Sequence, residues 1–342
     1  MSTLVSITVP NDSVSVAHRI HTLPVVVIFP HNQCNCRCVM CDIWRIRQAK
    51  QLDPADLEPH LESFRKLGVR WVVFSGGEPQ LNAKWRFLAQ MFRLIGCRVT
   101  LLTAGLLLQS QAKEVVDSVD DVIVSLDGPQ ALHNKIRRVA NAFEQIAHGV
   151  EALRQLDPRI EIRSRCTVQK ANHTSLRATV TAAKELGLMS ISFLAADLTS
   201  SAFNHAEAKR PDHADRVALT PNEIDAVAAE IERLIHEHES DLKSGFVVES
   251  PQKLRCIVHH FRAHQQQKEP TAPRCNAPWV STVIEASGDV RPCFFHPVLG
   301  NIHKNLLADI LNGPAALQFR ATLDVPNNPI CRNCVCSLYI PR

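Results

Sequence analysis

Between residues 25 and 196 the chain alternates short runs of apolar, often β-branched residues with longer stretches in which apolar residues return every three or four positions. The first pattern fits a buried strand and the second an amphipathic helix; their repeated alternation predicts βα units around a parallel sheet. Six runs read as strands: Val25 to Phe29, Trp71 to Phe74, Arg98 to Leu102, Val122 to Leu126, Ile160 to Val168 and Ile191 to Leu194. After the first of them Asp53 reads as an N-cap with Pro54 behind it, Leu57, Leu61 and Phe64 share one face, and Gly68 can close the helix. Further helical stretches fall near Lys84 to Leu94, Phe143 to Leu156 and Ser175 to Leu186. Six strands with helices outside predict an α/β fold, a partial (β/α)6 TIM-like barrel rather than a closed eight-fold one.

The alternation stops after Asp197. Residues 198–219 read as an irregular connection, and Thr220, Pro221 and Glu223 as the capping-box start of a helix carrying Ile224, Val227, Ile231 and Leu234 on one face. The polar stretch from Gln265 to Pro273 reads as a linker. Val280 to Ala286, the turn Ser287-Gly288-Asp289 and Val290 to Phe295 then predict a β-hairpin. The expected organisation is an N-terminal extension (1–24), a barrel (25–197), a helical connection and linker (198–272) and a small α+β cysteine-rich domain (273–342).

Composition narrows the chemistry. The 38 basic and 34 acidic residues leave a net charge of only +4, so a broad nucleic-acid face is not expected, and His259, His260, Arg262 and His264 read as a solvated helix face. No apolar run is long enough to span a bilayer and no secretory n- and h-region opens the chain, so a reduced cytoplasmic location is the expectation. There, the twelve cysteines signal metal or redox chemistry rather than bridges. Nine of them cluster, at 34–41, at 331–336 and in the pair Cys275 and Cys293, while Cys97, Cys166 and Cys256 stand apart.

Cys34, Cys38 and Cys41 follow the first strand at once, spaced C-x3-C-x2-C, with Cys36 as an extra thiol inside the loop. Three thiolates in one short loop can hold three irons of a [4Fe-4S] cubane and leave the fourth open to an outside ligand. At the end of the second strand stands Phe74-Ser75-Gly76-Gly77-Glu78-Pro79, whose paired glycines permit close approach to the backbone.

With Val124-Ser125-Leu126-Asp127-Gly128-Pro129 at the fourth strand, these segments make the chain resemble a radical S-adenosylmethionine (SAM) enzyme over nearly its whole length. The resemblance implies that the open iron chelates SAM and that a reduced cluster cleaves it to methionine and a 5'-deoxyadenosyl radical. It implies SAM-binding roles for Gly76, Gly77 and Glu78, for Ser125 and Thr103 near the carboxylate or ribose, and for Met40, in place of an aromatic residue, near the adenine. It also implies an external electron donor such as flavodoxin or ferredoxin.

Near the C-terminus, Cys275 is followed by twelve residues, Gly288, four residues and Cys293, and later by Cys331-Arg332-Asn333-Cys334-Val335-Cys336. This resembles the auxiliary-cluster domains of such enzymes, in full (SPASM) or shortened (twitch) form. Cys275, Cys293, Cys331 and Cys334 are the expected ligands of one auxiliary [4Fe-4S] cluster, with Cys336 as the alternative to Cys334; a four-thiolate zinc site uses the same residues. A fully ligated cluster accepts an electron from a substrate radical and suits an oxidation, whereas epimerisation needs a hydrogen donor, for which Cys166 and Cys256 are the candidates. Arg163 and Arg165 share a face of the fifth strand and, with Arg137 and Arg138, are candidates to hold an anionic group. The leading expectation is hydrogen abstraction from a small metabolite of sugar or aminocyclitol type. The alternatives are a maturase of a ribosomally made peptide and a non-catalytic iron-sulfur or zinc protein.

Overall fold

The computed structural model describes residues 18–205 and 213–341; the start of the expected N-terminal extension and part of the irregular connection lie outside them. The six expected strands form, each within two residues of its anticipated ends: β1 (Val25–His31), β2 (Trp71–Gly76), β3 (Arg98–Thr103), β4 (Asp121–Ser125), β5 (Glu161–Val168) and β6 (Ile191–Ala195). They pair in parallel and in sequence order, as successive right-handed βα crossovers require.

The segment after Asp53 shows how local chemistry sets the helices. Asp53 and Asp56 form a capping box over α1 (Pro54–Leu57). Pro59 has no amide to continue the ladder, so one 3-10 turn intervenes before α2 (Leu61–Lys66), and Gly68 at φ +64° closes it. The barrel helices are α3 (Trp85–Leu94), α4 (Ala112–Ser118), α5 (Gln130–Arg137), α6 (Ala142–Leu156) and α7 (Leu176–Glu185); α8 (Pro221–Glu237) starts at the expected Thr220–Glu223 box, and α9 (Pro251–His264) follows. Among the described residues no helix is long and apolar enough to cross a membrane.

Strand alternation sorts the sheet into two faces. Val26, Ile28, Val72, Phe74, Val99, Leu101, Val122, Val124, Ile162 and Cys166 are buried against helix residues such as Phe64, Leu88, Phe92 and Ile146. The other face, with Phe29, Val73, Leu102, Ile123, Ser125, Arg163 and Arg165, is half-buried or exposed and forms the inner wall of an open barrel. At its N-terminal end the fully buried Asp121 accepts from Arg98 (2.7 Å), Thr100 (2.9 Å) and Arg163. Arg163 is therefore committed to the barrel floor, not to an anionic ligand; Arg165 makes a 3.3 Å bond to Ser192.

Both edges of the barrel are continued. Beyond β6, the Ile191 amide donates to Phe246 (2.7 Å), and the Phe193 amide donates to the buried Glu249 carboxylate (2.8 Å), which pairs an otherwise open edge. Beyond β1, the expected hairpin, β7 (Ser281–Ile284) and β8 (Asp289–Arg291), attaches with β7 parallel to β1 and leads to β9 (Gly300–Asn301). One nine-stranded sheet runs β6-β5-β4-β3-β2-β1-β7-β8-β9. The basic stretch of α9 departs from expectation: His260 packs on the end of β6, 3.2 Å from the Ala196 carbonyl, and its burial pulls its pKa down to about 4.

Candidate active site

The cysteine loop leaves β1 at its C-terminal end and is tied down by backbone groups on three sides. Asn32 donates to Lys50 (3.1 Å) and the Gln33 side chain to Ile46 (2.9 Å). The amides of Arg37 and Val39 donate to the Arg137 and Ile136 carbonyls (3.1 and 3.0 Å), satisfying carbonyls that the C-terminus of α5 leaves open. On the third side the Glu78 amide donates to Gln33 (2.8 Å) and the Gly77 amide to His31 (3.2 Å).

That last contact explains the paired glycines. A Cβ on Gly77 would lie 2.0 Å from the Gln33 carbonyl oxygen, and one on Gly76, at φ +101°, would lie 2.7 Å from Phe29. The glycines thus bring the turn against the cysteine loop itself. The Glu78 carboxylate turns inward, 1% exposed, accepting from Thr103 Oγ1 (3.0 Å), the Ala104 amide (2.8 Å) and the Gln80 amide (3.3 Å). Burial, only partly offset by those bonds, raises its pKa to about 7. Thr103 Oγ1 is hydrogen-bonded to Glu78, and Ser125 ends β4 on the inner face, half-buried.

Cys36, Cys38 and Ala104 form a small buried nest of their own, with Cys34, Met40, Cys41, Leu106 and Val139 packed around it. The expected ligands Cys34, Cys38 and Cys41 thus share one apolar pocket with Met40. Hydrogen bonds with Cys34 and Cys38 are the main reason the Cys36 thiol keeps its proton. The Cys36 bond is also the main influence lowering the Cys38 pKa; burial opposes it and the Arg137 charge assists. Arg137, buried and paired to the fully buried Asp127 at 2.6 Å, reaches Cys38 Sγ at 3.5 Å. Among the described residues no three His, Cys, Asp or Glu side chains converge on a single ion-sized point. Thiolates of a cubane sit on different irons and need no such point. An apolar pocket with an N–H and a guanidinium aimed at sulfur, Cys36 N to Cys34 (3.4 Å) and Arg137 to Cys38, suits thiolate-held iron.

The second thiol group is assembled from three segments. Asn276, beside Cys275, pairs with the C-terminal tail through Leu338 O (2.9 Å), Ile340 O (2.7 Å) and the Ile340 amide (3.0 Å). Asn328 caps the turn that presents Cys331, and Cys293 follows β8. Burial first, then the charges of Cys293 and Cys275, raises Cys331 to about 11, and Cys293 and Cys334 are pushed up by burial and by the neighbouring thiols Cys275 and Cys336. The Phe295 and His296 amides bond to Cys293, and His296 Nε2 lies 3.3 Å from Cys331 Sγ. His296 escaped the sequence reading; its position three residues after a ligand candidate was the available signal. Phe294 stacks on Phe29 of the inner wall at 5.7 Å, and Arg165 acts electrostatically on Cys336, so this group borders the same inner face as the cysteine loop.

The two hydrogen-donor candidates are not brought there. Cys166 is fully buried on the helix-facing side of β5, opposite Arg165, and Cys256 is solvent-exposed on α9. Cavities of about 580 and 600 Å³ lie near Arg19 and Asn312 and at the barrel floor near Arg98 and the isolated Cys97; neither is lined by a cysteine of the two clustered groups.

Residues 28–166 match the Radical SAM superfamily, and residues 275–335 match an iron-sulfur cluster-binding (SPASM) domain. Both matches together are those of a radical SAM enzyme with a SPASM-type C-terminal domain, and such domains imply SAM, a SAM-binding [4Fe-4S] cluster and auxiliary iron-sulfur as cofactors. It is 27% identical to the AdoMet-dependent heme synthase of Methanosarcina barkeri over 298 residues, 81% of this chain and 78% of that protein. To the antilisterial bacteriocin subtilosin biosynthesis protein AlbA of Bacillus subtilis it is 25% identical over 297 residues, 83% of this chain but only 58% of AlbA. The fold is shared with Streptococcus suis SuiB bound to S-adenosylmethionine, at TM-score 0.66 and 14% identity, covering 96% of this chain and 76% of SuiB.

Proposed function

We propose that the chain is a maturase that modifies a ribosomally made peptide by radical SAM chemistry, and that the modification is an oxidation. The observation that carries this reading is the placement of both thiol groups along one open inner sheet face, in a chain similar to AlbA over 83% of its length. The sugar or aminocyclitol substrate expected from the sequence draws no support from these relatives.

Cys34, Cys38 and Cys41 would hold the SAM-binding cluster, with the Gly76–Gly77 turn and Ser125 at SAM and Met40 at the adenine. When bound, cluster and SAM supply the 5'-deoxyadenosyl radical, and the auxiliary cluster at Cys275, Cys293, Cys331 and Cys334 or Cys336 supplies an electron acceptor. The chain's own part is placement: Arg165 offers a cation on the inner wall, and Phe29 and Phe294 an apolar surface. Reducing electrons would come from a flavodoxin or ferredoxin.

The test is anaerobic incubation of reconstituted protein with reductant, SAM and short peptides encoded beside its gene. Formation of 5'-deoxyadenosine together with loss of two hydrogens from a peptide is expected. Abundant 5'-deoxyadenosine with every such peptide unchanged would reject the peptide while keeping the radical chemistry. A second reading, modification of a heme precursor, is favoured by the similarity to the heme synthase over 78% of that protein's length; the same assay with a propionate-bearing porphyrin separates the two.

A further inference from the structure

Arg137 stands out among the buried charges of the molecule because one of its partners is sulfur. One guanidinium nitrogen lies 2.6 Å from Asp127 Oδ2 and another 3.5 Å from Cys38 Sγ, with Arg137 8% and Asp127 0% exposed. The pair is held through both residues. Asp127 Oδ1 accepts the Thr167 amide at 2.9 Å, while its own amide bonds to His133 Nδ1 at 3.2 Å. The Arg137 carbonyl accepts the Arg37 amide of the cysteine loop, and Arg138 ends α5 in the left-handed region at φ 53°. The ion pair and the anchored helix end hold the cation beside the loop.

We infer that Arg137 is a positioning residue that acts through Cys38 to set the reduction potential of the cluster at Cys34, Cys38 and Cys41, and that Asp127 holds it there and moderates its charge. The inference rests on the radical SAM reading and adds to it. Hydrogen bonds to ligand sulfurs and nearby charge are among the levers that set iron-sulfur potentials. Reduction adds one negative charge to the cluster, and a desolvated cation beside a ligand sulfur stabilises that charge more than water would. The sign follows: Arg137 raises the potential and eases reduction by the external donor, whereas Asp127, farther from the sulfur, lowers it by less.

The test is an anaerobic redox titration of the reconstituted holoprotein, followed by electron paramagnetic resonance. The reduced signal that responds to added SAM identifies the cluster at the front loop. Arg137→Gln is expected to lower the midpoint so that about tenfold less cluster is reduced at a fixed potential, ~59 mV for a one-electron couple. Arg137→Lys, which keeps the charge without the planar fork, should restore most of it, and Asp127→Asn should shift the midpoint upward. An Arg137→Gln protein with full iron content and an unchanged midpoint overturns the inference. Should that variant fail to fold, Asp127→Asn decides alone, and an unchanged or lowered midpoint overturns it. A wild-type chain that takes up no cluster overturns this inference and the radical SAM reading together, whereas a wild-type cluster with SAM cleavage and unmoved variants overturns this inference only.

Discussion

The two thiol groups of this protein are built in opposite ways. The front loop spans residues 34 to 41, is anchored by the end of β1, the turn after β2 and the last carbonyls of α5, and buries Cys36 and Cys38 against Ala104, which follows β3. The C-terminal group draws Cys275, Cys293 and Cys331 to Cys336 from segments far apart in sequence, and its thiols are half-buried or exposed. It is held chiefly by Asn276 pairing with the tail, by the Asn328 cap and by the Arg332 bond to Pro270. A short loop on a sheet edge pays little loop-closure entropy, and three distant segments need dedicated clamps. The front site is thus preformed by the barrel, while the rear site depends on a few polar ties.

The comparison can be broken first at the thiols. Replacing Cys34, Cys38 and Cys41 by alanine should abolish 5'-deoxyadenosine formation, whereas replacing Cys331 and Cys334 should leave SAM cleavage measurable and stop substrate oxidation. Loss of cleavage in both variants would mean that the two sites are not separable. Next in size is Gly77→Ala: with the Gln33 carbonyl 2.0 Å from the new methyl, the loop must move, and SAM cleavage should fall by about 100-fold, as 1 Å misplacements do. Normal turnover in that variant would show that the loop tolerates displacement.

The third prediction concerns pH. Glu78 has its pKa raised from 4.5 to about 7, so between these values the folded state keeps a proton that the unfolded chain has lost. Stability therefore falls as pH rises from about 4.5 to about 7 and is level above that, by about 3 kcal/mol in all. Glu78→Gln should flatten this slope, read as denaturation midpoints of the anaerobic protein between pH 5.5 and 7.5; an unchanged slope would assign it to other groups. The smallest effect is expected from Asn276→Ala, which removes two side-chain bonds to the tail at about 1–2 kcal/mol. It should speed loss of rear-site iron to a chelator while front-site iron is retained; equal loss from both would contradict the separate anchoring.

The sequence was most readable where function depends on neighbours along the chain. The strands, the capping boxes at Asp53 and Thr220 and the C-x3-C-x2-C loop are all short-range features. Arg163 and Thr103 show where that reading stops. Arg163 lies on an expected strand and Thr103 just after one, yet Arg163 is bonded to Asp121 and Thr103 to Glu78, partners 42 and 25 positions away. Cys166 shows it again: alternation put it opposite the two arginines, and the sheet decided that their face, not its own, lines the open barrel.

The residues alone determined the strand order's raw material, the thiols available to each site and the glycines the turn requires, because periodicity, ligand type and backbone freedom are local properties. Only the tertiary structure decided that β7 joins β1 in a single sheet, that five thiols from three segments meet with His296 beside them, and that Arg137 and Asp127 close on Cys38. Those outcomes depend on which surfaces find one another across long stretches of chain, where burial and charge pairing settle partners that no spacing encodes.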